Sequence, residues 1–181
     1  MAETLSPQQL ADEGNRAYRA GNLTEAVAAF EQAAHAYQAA GDTLTAAEMS
    51  NNAGVALLKG GDAAASLAAC EGTDQVFASA GDIRRQGMAL ANQASALEAL
   101  GRLPDALERF ELASELLKQA GEKDYRAYVL SSISSIQLRT GKQLQALASM
   151  DSALENKEKL SWRERLLKKL LRIPFNMTKP K

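Results

Sequence analysis

The chain has 181 residues and a formal net charge of −1, with 46% hydrophobic, 5% aromatic and 24% charged residues. This length suits one or two ordinary domains. The single cysteine excludes an intramolecular disulfide, and no apolar run is long enough for a membrane-spanning helix. The first nine residues have neither a basic start nor an apolar stretch, so no secretory signal is predicted and a cytoplasmic location is expected.

Seven glycines divide the chain into segments of equal length. They stand twenty residues apart, at Gly21, Gly41, Gly61, Gly81, Gly101, Gly121 and Gly141. Alternate members share their neighbours, because Gly41, Gly81 and Gly121 each follow an alanine and precede an acidic residue. The true period is therefore forty residues. A period in this range is typical of stacked supersecondary units, none of which can bury its apolar face alone.

The segments between these glycines are predicted to be helices. In 23–30 and again in 103–110, apolar residues recur every three or four positions among strong helix formers. A glycine suits the left-handed residue that ends a helix. Asp42 and Asp82 can cap the helices that follow, and Pro104 stands where a first helical turn needs no backbone donor. Eight helices of nearly equal length, joined by short turns, predict four antiparallel hairpins and an all-α fold.

Each forty-residue unit repeats a pattern of small and aromatic positions. Repeat one supplies Gly14, Gly21, Ala26, Phe30 and Ala33; repeat three supplies Ala94, Gly101, Ala106, Phe110 and Ala113; repeat four supplies Ser134, Gly141, Ala146, Met150 and Ala153. Repeat two is the weakest, since Ser66, Cys70 and Thr73 replace the alanine, the aromatic and the second alanine. On these residues the chain resembles the tetratricopeptide repeat family. Its forty-residue unit resembles the subclass of Leu-Gly-Asn-repeat adaptors and kinesin light chains.

The resemblance implies a tetratricopeptide-like α-solenoid over residues 1–160. The predicted repeats cover 6–41, 42–81, 82–121 and 122–160. Glu13 and Gln93 depart from the pattern, because they occupy a position that is usually apolar. Two alternatives are open for these residues: they soften repeats one and three, or they face a partner.

The resemblance also implies that the first helix of each hairpin lines a concave groove that binds a protein or peptide. The predicted partner-binding residues are Asn15, Tyr18, Asn51, Asn52, Asn92, Ser95, Tyr128 and Ser135. Asparagine amides offer a donor and an acceptor together, which suits the backbone of a bound peptide. The alternative is that these asparagines only solvate one face or bridge adjacent helices.

No pattern of catalytic or metal-binding residues is recognisable in the sequence. His35 is the only histidine, and Cys70 is predicted to pack as a small buried apolar residue. Neither a phosphate-binding loop nor the spacing of a metal site occurs. We therefore expect a non-catalytic scaffold for protein–protein interaction, with no metal and no cofactor. A small-ligand sensor is a further alternative; the partner, the process and the oligomeric state are left open.

The charge balance inverts at the C-terminus. Residues 156–181 carry nine Lys or Arg against two Glu, a net charge of +7, whereas residues 1–155 carry a net charge of −8. An amphipathic helix is predicted over 161–174, and a flexible tail over 175–181, because Pro174 disfavours further helix. The apolar half of its helical wheel holds Trp162, Leu166, Leu167, Leu170, Leu171 and Ile173, and the basic half holds Arg165, Lys168, Lys169 and Arg172.

Two interpretations compete for this helix. In the favoured one it caps the last hairpin, as a solenoid requires, and covers the region around Leu144, Leu147 and Leu154. In the alternative the chain is a peripheral membrane-associated adaptor, whose contacts with anionic lipid or an acidic partner come from Trp162 and the four basic residues. Nucleic acid is not expected as a partner, since the positive charge is confined to one short segment.

Overall fold

The computed structural model describes residues 5–177 of the chain, and side chains as far as residue 171. The helices in this range are α1 (Pro7–Ala20), α2 (Leu23–Ala39), α3 (Thr43–Lys59), α4 (Ala63–Cys70), α5 (Thr73–Ser79), α6 (Ile83–Ala99), α7 (Leu103–Gln119), α8 (Lys123–Arg139), α9 (Gln143–Asn156) and α10 (Trp162–Met177). No strand occurs in the described range.

The helices pack in chain order as stacked hairpins. The pairs are α1 with α2, α3 with α4 and α5, α6 with α7, and α8 with α9, and each pair packs against the next. This arrangement confirms the predicted all-α solenoid and supports a tetratricopeptide-like fold. The assignment to the forty-residue subclass stays a prediction.

The glycine series ends the helices as predicted. All seven glycines have a positive φ, between 72° and 92°. A Cβ added at these positions would meet no atom within 4 Å, so the backbone conformation and not the space requires glycine. The carboxylates of Asp42 and Asp82 cap α3 and α6 by accepting hydrogen bonds from the backbone of Thr45 (3.0 Å) and Arg85 (2.8 Å). The local sequence therefore sets most helix boundaries.

The second helix of repeat two is broken, which the sequence analysis did not anticipate. One helix was expected across 63–79, but α4 ends at Cys70 and α5 begins at Thr73. Gly72 adopts a φ of 74° between them. The carbonyl of Cys70 leaves the helical ladder and accepts hydrogen bonds from Thr73 Oγ1 (2.7 Å) and Gln93 Nε2 (2.8 Å). Side chains thus replace the backbone donors that a continuous helix would supply.

Gln93 stands at a position that is usually apolar in the repeat, and its side chain bridges this break. Its side chain is buried, and its amide nitrogen donates to Asp74 Oδ1 (2.8 Å) as well as to the Cys70 carbonyl. Its amide oxygen accepts from the guanidinium of Arg109. Gln93 therefore does not face a partner, and all its polar atoms are satisfied inside the protein. Glu13, the other departure, is exposed.

The buried apolar residues form two main clusters along the solenoid. One lies in repeat one and α3, around Phe30, and the other lies in repeats three and four, around Phe110. A small third cluster of Ala47, Phe77 and Ala89 lies between them. Phe77 stands one helix further along than Cys70, which holds the aromatic position of the repeat pattern. In repeat two the buried aromatic side chain therefore comes from α5, after the break.

We expect the broken helix to exchange its backbone amides faster than its counterpart in repeat three. Native-state hydrogen exchange should show weaker protection for 63–80 than for 103–120, because two short helices share fewer uninterrupted backbone hydrogen bonds than the 17 residues of α7. Equal or stronger protection in 63–80 would show that Gln93 and its partners fully compensate for the break.

The C-terminal helix extends further than predicted. Helix α10 continues through Pro174 to Met177, three residues beyond the predicted helix end at 174. The flexibility of the tail stays a prediction. Pro174 removes one backbone donor from the last turn of this helix. The rest of the predicted tail, 178–181, lies outside the described residues.

Candidate functional site

The first helices of successive hairpins lie side by side and form one face of the solenoid, called here the groove face. It consists of α1, α3, α6 and α8, and polar contacts join each of these helices to the next. The contacts are Lys59 Nζ over the Tyr18 ring (4.5 Å to the ring centre), Arg85 to Glu48 (3.1 Å) and Arg139 to Glu98 (2.8 Å). These three contacts link the four helices along the face.

The Tyr125 hydroxyl on α8 lies in a partly buried part of the groove face. Burial is the main cause that raises its pKa above the usual value; the hydroxyls of Tyr128 and Tyr18 add to this rise, and Arg84 opposes it.

Two tyrosines lie next to each other on the groove face, near the start of α8. The rings of Tyr125 and Tyr128 meet edge to face, with 6.5 Å between centroids and 73° between planes. The Tyr128 hydroxyl lies 3.5 Å from Ser95 Oγ on the neighbouring helix α6. Tyr128 is 55% exposed and Tyr125 is also exposed. We call Tyr125, Tyr128 and the adjacent Ser95 the tyrosine cluster; its two rings are exposed at the groove face.

The asparagines divide into bridging and groove-facing residues. Asn51 is buried, donates from Nδ2 to the Ala47 carbonyl (3.0 Å) and accepts from Asn92 Nδ2 (3.2 Å). This pair joins repeats two and three, as the alternative interpretation of these residues expected. Asn15 and Asn52 are half-buried on α1 and α3. Their amides are thus better placed than that of Asn51 to meet a partner.

The structure brings together some of the predicted partner-binding residues but not all. Ser95 and Tyr128 belong to the tyrosine cluster, Tyr18 is half-buried on α1 with Lys59 over its ring, and Ser135 is exposed two helical turns further along α8 than Tyr128. The sequence analysis missed Tyr125. Its spacing of three residues before Tyr128 was the available signal, because such a pair shares one face of a helix.

The described residues show no arrangement typical of a reactive site. No group of three or more His, Cys, Asp or Glu in 5–177 is placed to hold a metal ion. Cys70 is fully buried, and burial raises the pKa of its thiol to about 12, so it stays protonated at neutral pH. His35 is exposed on α2. Within the same range, no helix combines the length and the apolar character needed to cross a membrane.

Helix α10 leaves the end of the solenoid largely uncovered. Leu144 on α9 is 84% exposed and Leu147 is also exposed, whereas Leu154 is buried. The apolar side of α10 is exposed as well, with Trp162 at 70%. The burial pattern therefore does not support the favoured interpretation of this helix as a cap.

The basic residues predicted for membrane or acidic-partner contact are placed as follows. Arg165 and Lys169 are exposed, Lys168 is half-buried, and the side chain of Arg172 lies outside the described residues. Arg165 Nε donates to the Leu160 carbonyl (3.2 Å), within the turn that precedes the helix. The exposed members thus remain available to an external anionic surface.

The similarity of this chain to known proteins is low. No family model matches the chain. No curated protein matches it either. Among solved structures, one titled MamA AMB-1 is 20% identical, with 88% of this chain and 96% of that chain covered and a TM-score of 0.45. A likeness of this degree assigns neither a family nor a function.

Proposed function

We propose that the chain is a non-catalytic protein-interaction scaffold that binds an extended peptide or a partner segment along the groove face. The observation that carries this proposal is the tyrosine cluster. The chain has only four tyrosines, and two of them, Tyr125 and Tyr128, are exposed side by side on the groove face. A core would use such scarce aromatic residues for its own packing.

Exposed tyrosines suit protein recognition. Tyrosine is enriched among the residues that dominate binding energy, because it buries a large rigid ring and keeps a hydroxyl for hydrogen bonding. Ser95 and the half-buried Asn15 and Asn52 add small polar groups along the same face. A peptide backbone needs both donors and acceptors, which amides and hydroxyls provide. The groove face therefore combines apolar anchors with polar groups for the main chain.

The proposal predicts that groove substitutions weaken binding without unfolding the protein. Peptides selected from a displayed random library against the full chain serve as probes. Tyr128→Ala combined with Asn52→Ala should raise their Kd at least tenfold, since one dominant contact is worth more than about 1.4 kcal/mol. The melting temperature should change little, because neither side chain belongs to the buried clusters. Titration calorimetry and thermal melting provide the two measurements.

A matched pair on the outer helices provides the control. Gln32→Ala combined with Leu112→Ala removes an exposed amide and an exposed apolar side chain from α2 and α7. This variant should bind the selected peptides like the wild type. The proposal fails if the groove variant and the control bind equally well, or if library selection against the full chain yields no binding peptide.

A further inference from the structure

Helix α10 carries an apolar stripe that points away from the solenoid. Trp162, Leu166 and Leu170 follow one another at four-residue spacing and are 70%, 51% and 52% exposed. The half-buried positions of the helix include Lys168 and Leu171, on a different side. The helix therefore rests on α9 by an edge of its wheel and leaves its most apolar residues in solvent.

Local hydrogen bonds and an ion pair stabilise the first turn of the helix. The Glu164 carboxylate accepts from the Ser161 backbone nitrogen (2.8 Å), and Ser161 Oγ accepts from the Glu164 backbone nitrogen (3.3 Å), which completes a capping box. Lys157 pairs with the same carboxylate. These bonds, the Lys157 contact first, lower the pKa of Glu164 to about 2, so the carboxylate stays ionised at neutral pH. The helix start is thus stabilised without burial of the apolar stripe.

Positive charge borders the stripe. Arg165 and Lys169 are exposed beside it, and residues 156–181 carry a net charge of +7. An exposed face of tryptophan and leucine next to lysine and arginine is the pattern of a helix that lies in the headgroup region of a bilayer. The 16 residues of α10 span about 24 Å, enough to lie along a surface. A second copy of α10 would instead bring like charges together along the stripe.

We propose that α10 binds an anionic lipid surface, lying parallel to it with Trp162, Leu166 and Leu170 inserted among the headgroups. The acidic solenoid, with a net charge of −8 over 1–155, is repelled by the same surface. The basic helix therefore orients the body away from the lipid and leaves the groove face free. The stripe and the tyrosine cluster share no residue, so substitutions can test the two activities independently.

The single tryptophan reports directly on this interaction. Full-length protein is mixed with vesicles of phosphatidylcholine alone or with 30% phosphatidylserine, at low and high salt. We expect a blue shift of Trp162 emission and flotation with the anionic vesicles, both reduced by salt and weak with neutral vesicles. No shift and no flotation with anionic vesicles would overturn the proposal. Equal binding to neutral vesicles would overturn its electrostatic part.

Substitutions separate the lipid from other occupants of the stripe. Leu166→Ser with Leu170→Ser should weaken vesicle binding at least tenfold, as should Arg165→Glu with Lys169→Glu. The control Leu144→Ser removes a leucine from α9 that is even more exposed, at 84%, and should bind like the wild type. Sedimentation tests for self-association: a dimer that Leu166→Ser with Leu170→Ser dissociates, without vesicle binding by the wild type, would assign the stripe to a second copy and overturn the proposal.

Discussion

Phe110→Ala is expected to lower the free energy of unfolding by about 3–5 kcal/mol. The ring is fully buried in the larger cluster, where its neighbours include Ala94, Ala106 and Ala113. Alanines have no side chain that can move into the space a lost ring leaves, so a cavity remains. A solenoid adds its stability from units and their interfaces. The loss should therefore fall mainly on repeats three and four.

Urea denaturation followed by circular dichroism measures this effect. Leu112→Ala is the control, because Leu112 lies on the same helix, two residues away, and is half exposed. Its substitution should change the free energy of unfolding by less than about 0.5 kcal/mol. A loss below 1 kcal/mol for Phe110→Ala would mean that the surrounding helices close the cavity.

Gly54→Ala is expected to destabilise the protein by about 1–3 kcal/mol through overpacking. A Cβ at this position would lie 2.3 Å from the Cys70 sulfur and 3.2 Å from the Ser66 carbonyl oxygen. Both α3 and α4 are held there by close packing, and the sulfur has no exposed side to move toward. The glycine therefore permits the helix contact that places Cys70 at the interface.

A double-mutant cycle isolates this contact. In a Cys70→Ala background the sulfur is gone, so Gly54→Ala should cost at least 1 kcal/mol less than in the wild type. Gly101→Ala is the control, because its position is open but has a φ of 76°. Its cost comes from backbone strain and should be the same in both backgrounds. Equal costs for Gly54→Ala in the two backgrounds would contradict the steric explanation.

The extent to which the fold was predictable depends on how local each determinant is. The helix ends at the seven glycines follow from backbone preferences of single residues, so the sequence analysis located them correctly. The break after Cys70 depends instead on Gln93 and Arg109, which reach it from α6 and α7. An isolated glycine at 72 was a signal of a break, but the side chains that satisfy the freed carbonyl could not be identified without the packing.

The candidate site was also predictable only in part, because some of its features depend on packing between helices. The resemblance to tetratricopeptide repeats indicated which helices form the groove face. Asn51 and Asn52 are adjacent in the sequence, yet their side chains make different contacts. One is turned toward α6 and bridges to Asn92, while the other is half-buried without such a bridge. A single helical step of 100° decides this, and it is set by interhelical packing. Likewise, the amphipathic character of α10 was predictable, but the edge by which it rests on α9 was not.

The interruption between α4 and α5 also makes repeat two depend on its neighbour. In a continuous helix the carbonyl of Cys70 would be bound by the backbone of the same helix. Here one of its two donors is Gln93, which lies on α6, 23 residues further along the chain. Repeat two therefore completes its hydrogen bonds only when repeat three is folded beside it, which links the folding of the two repeats.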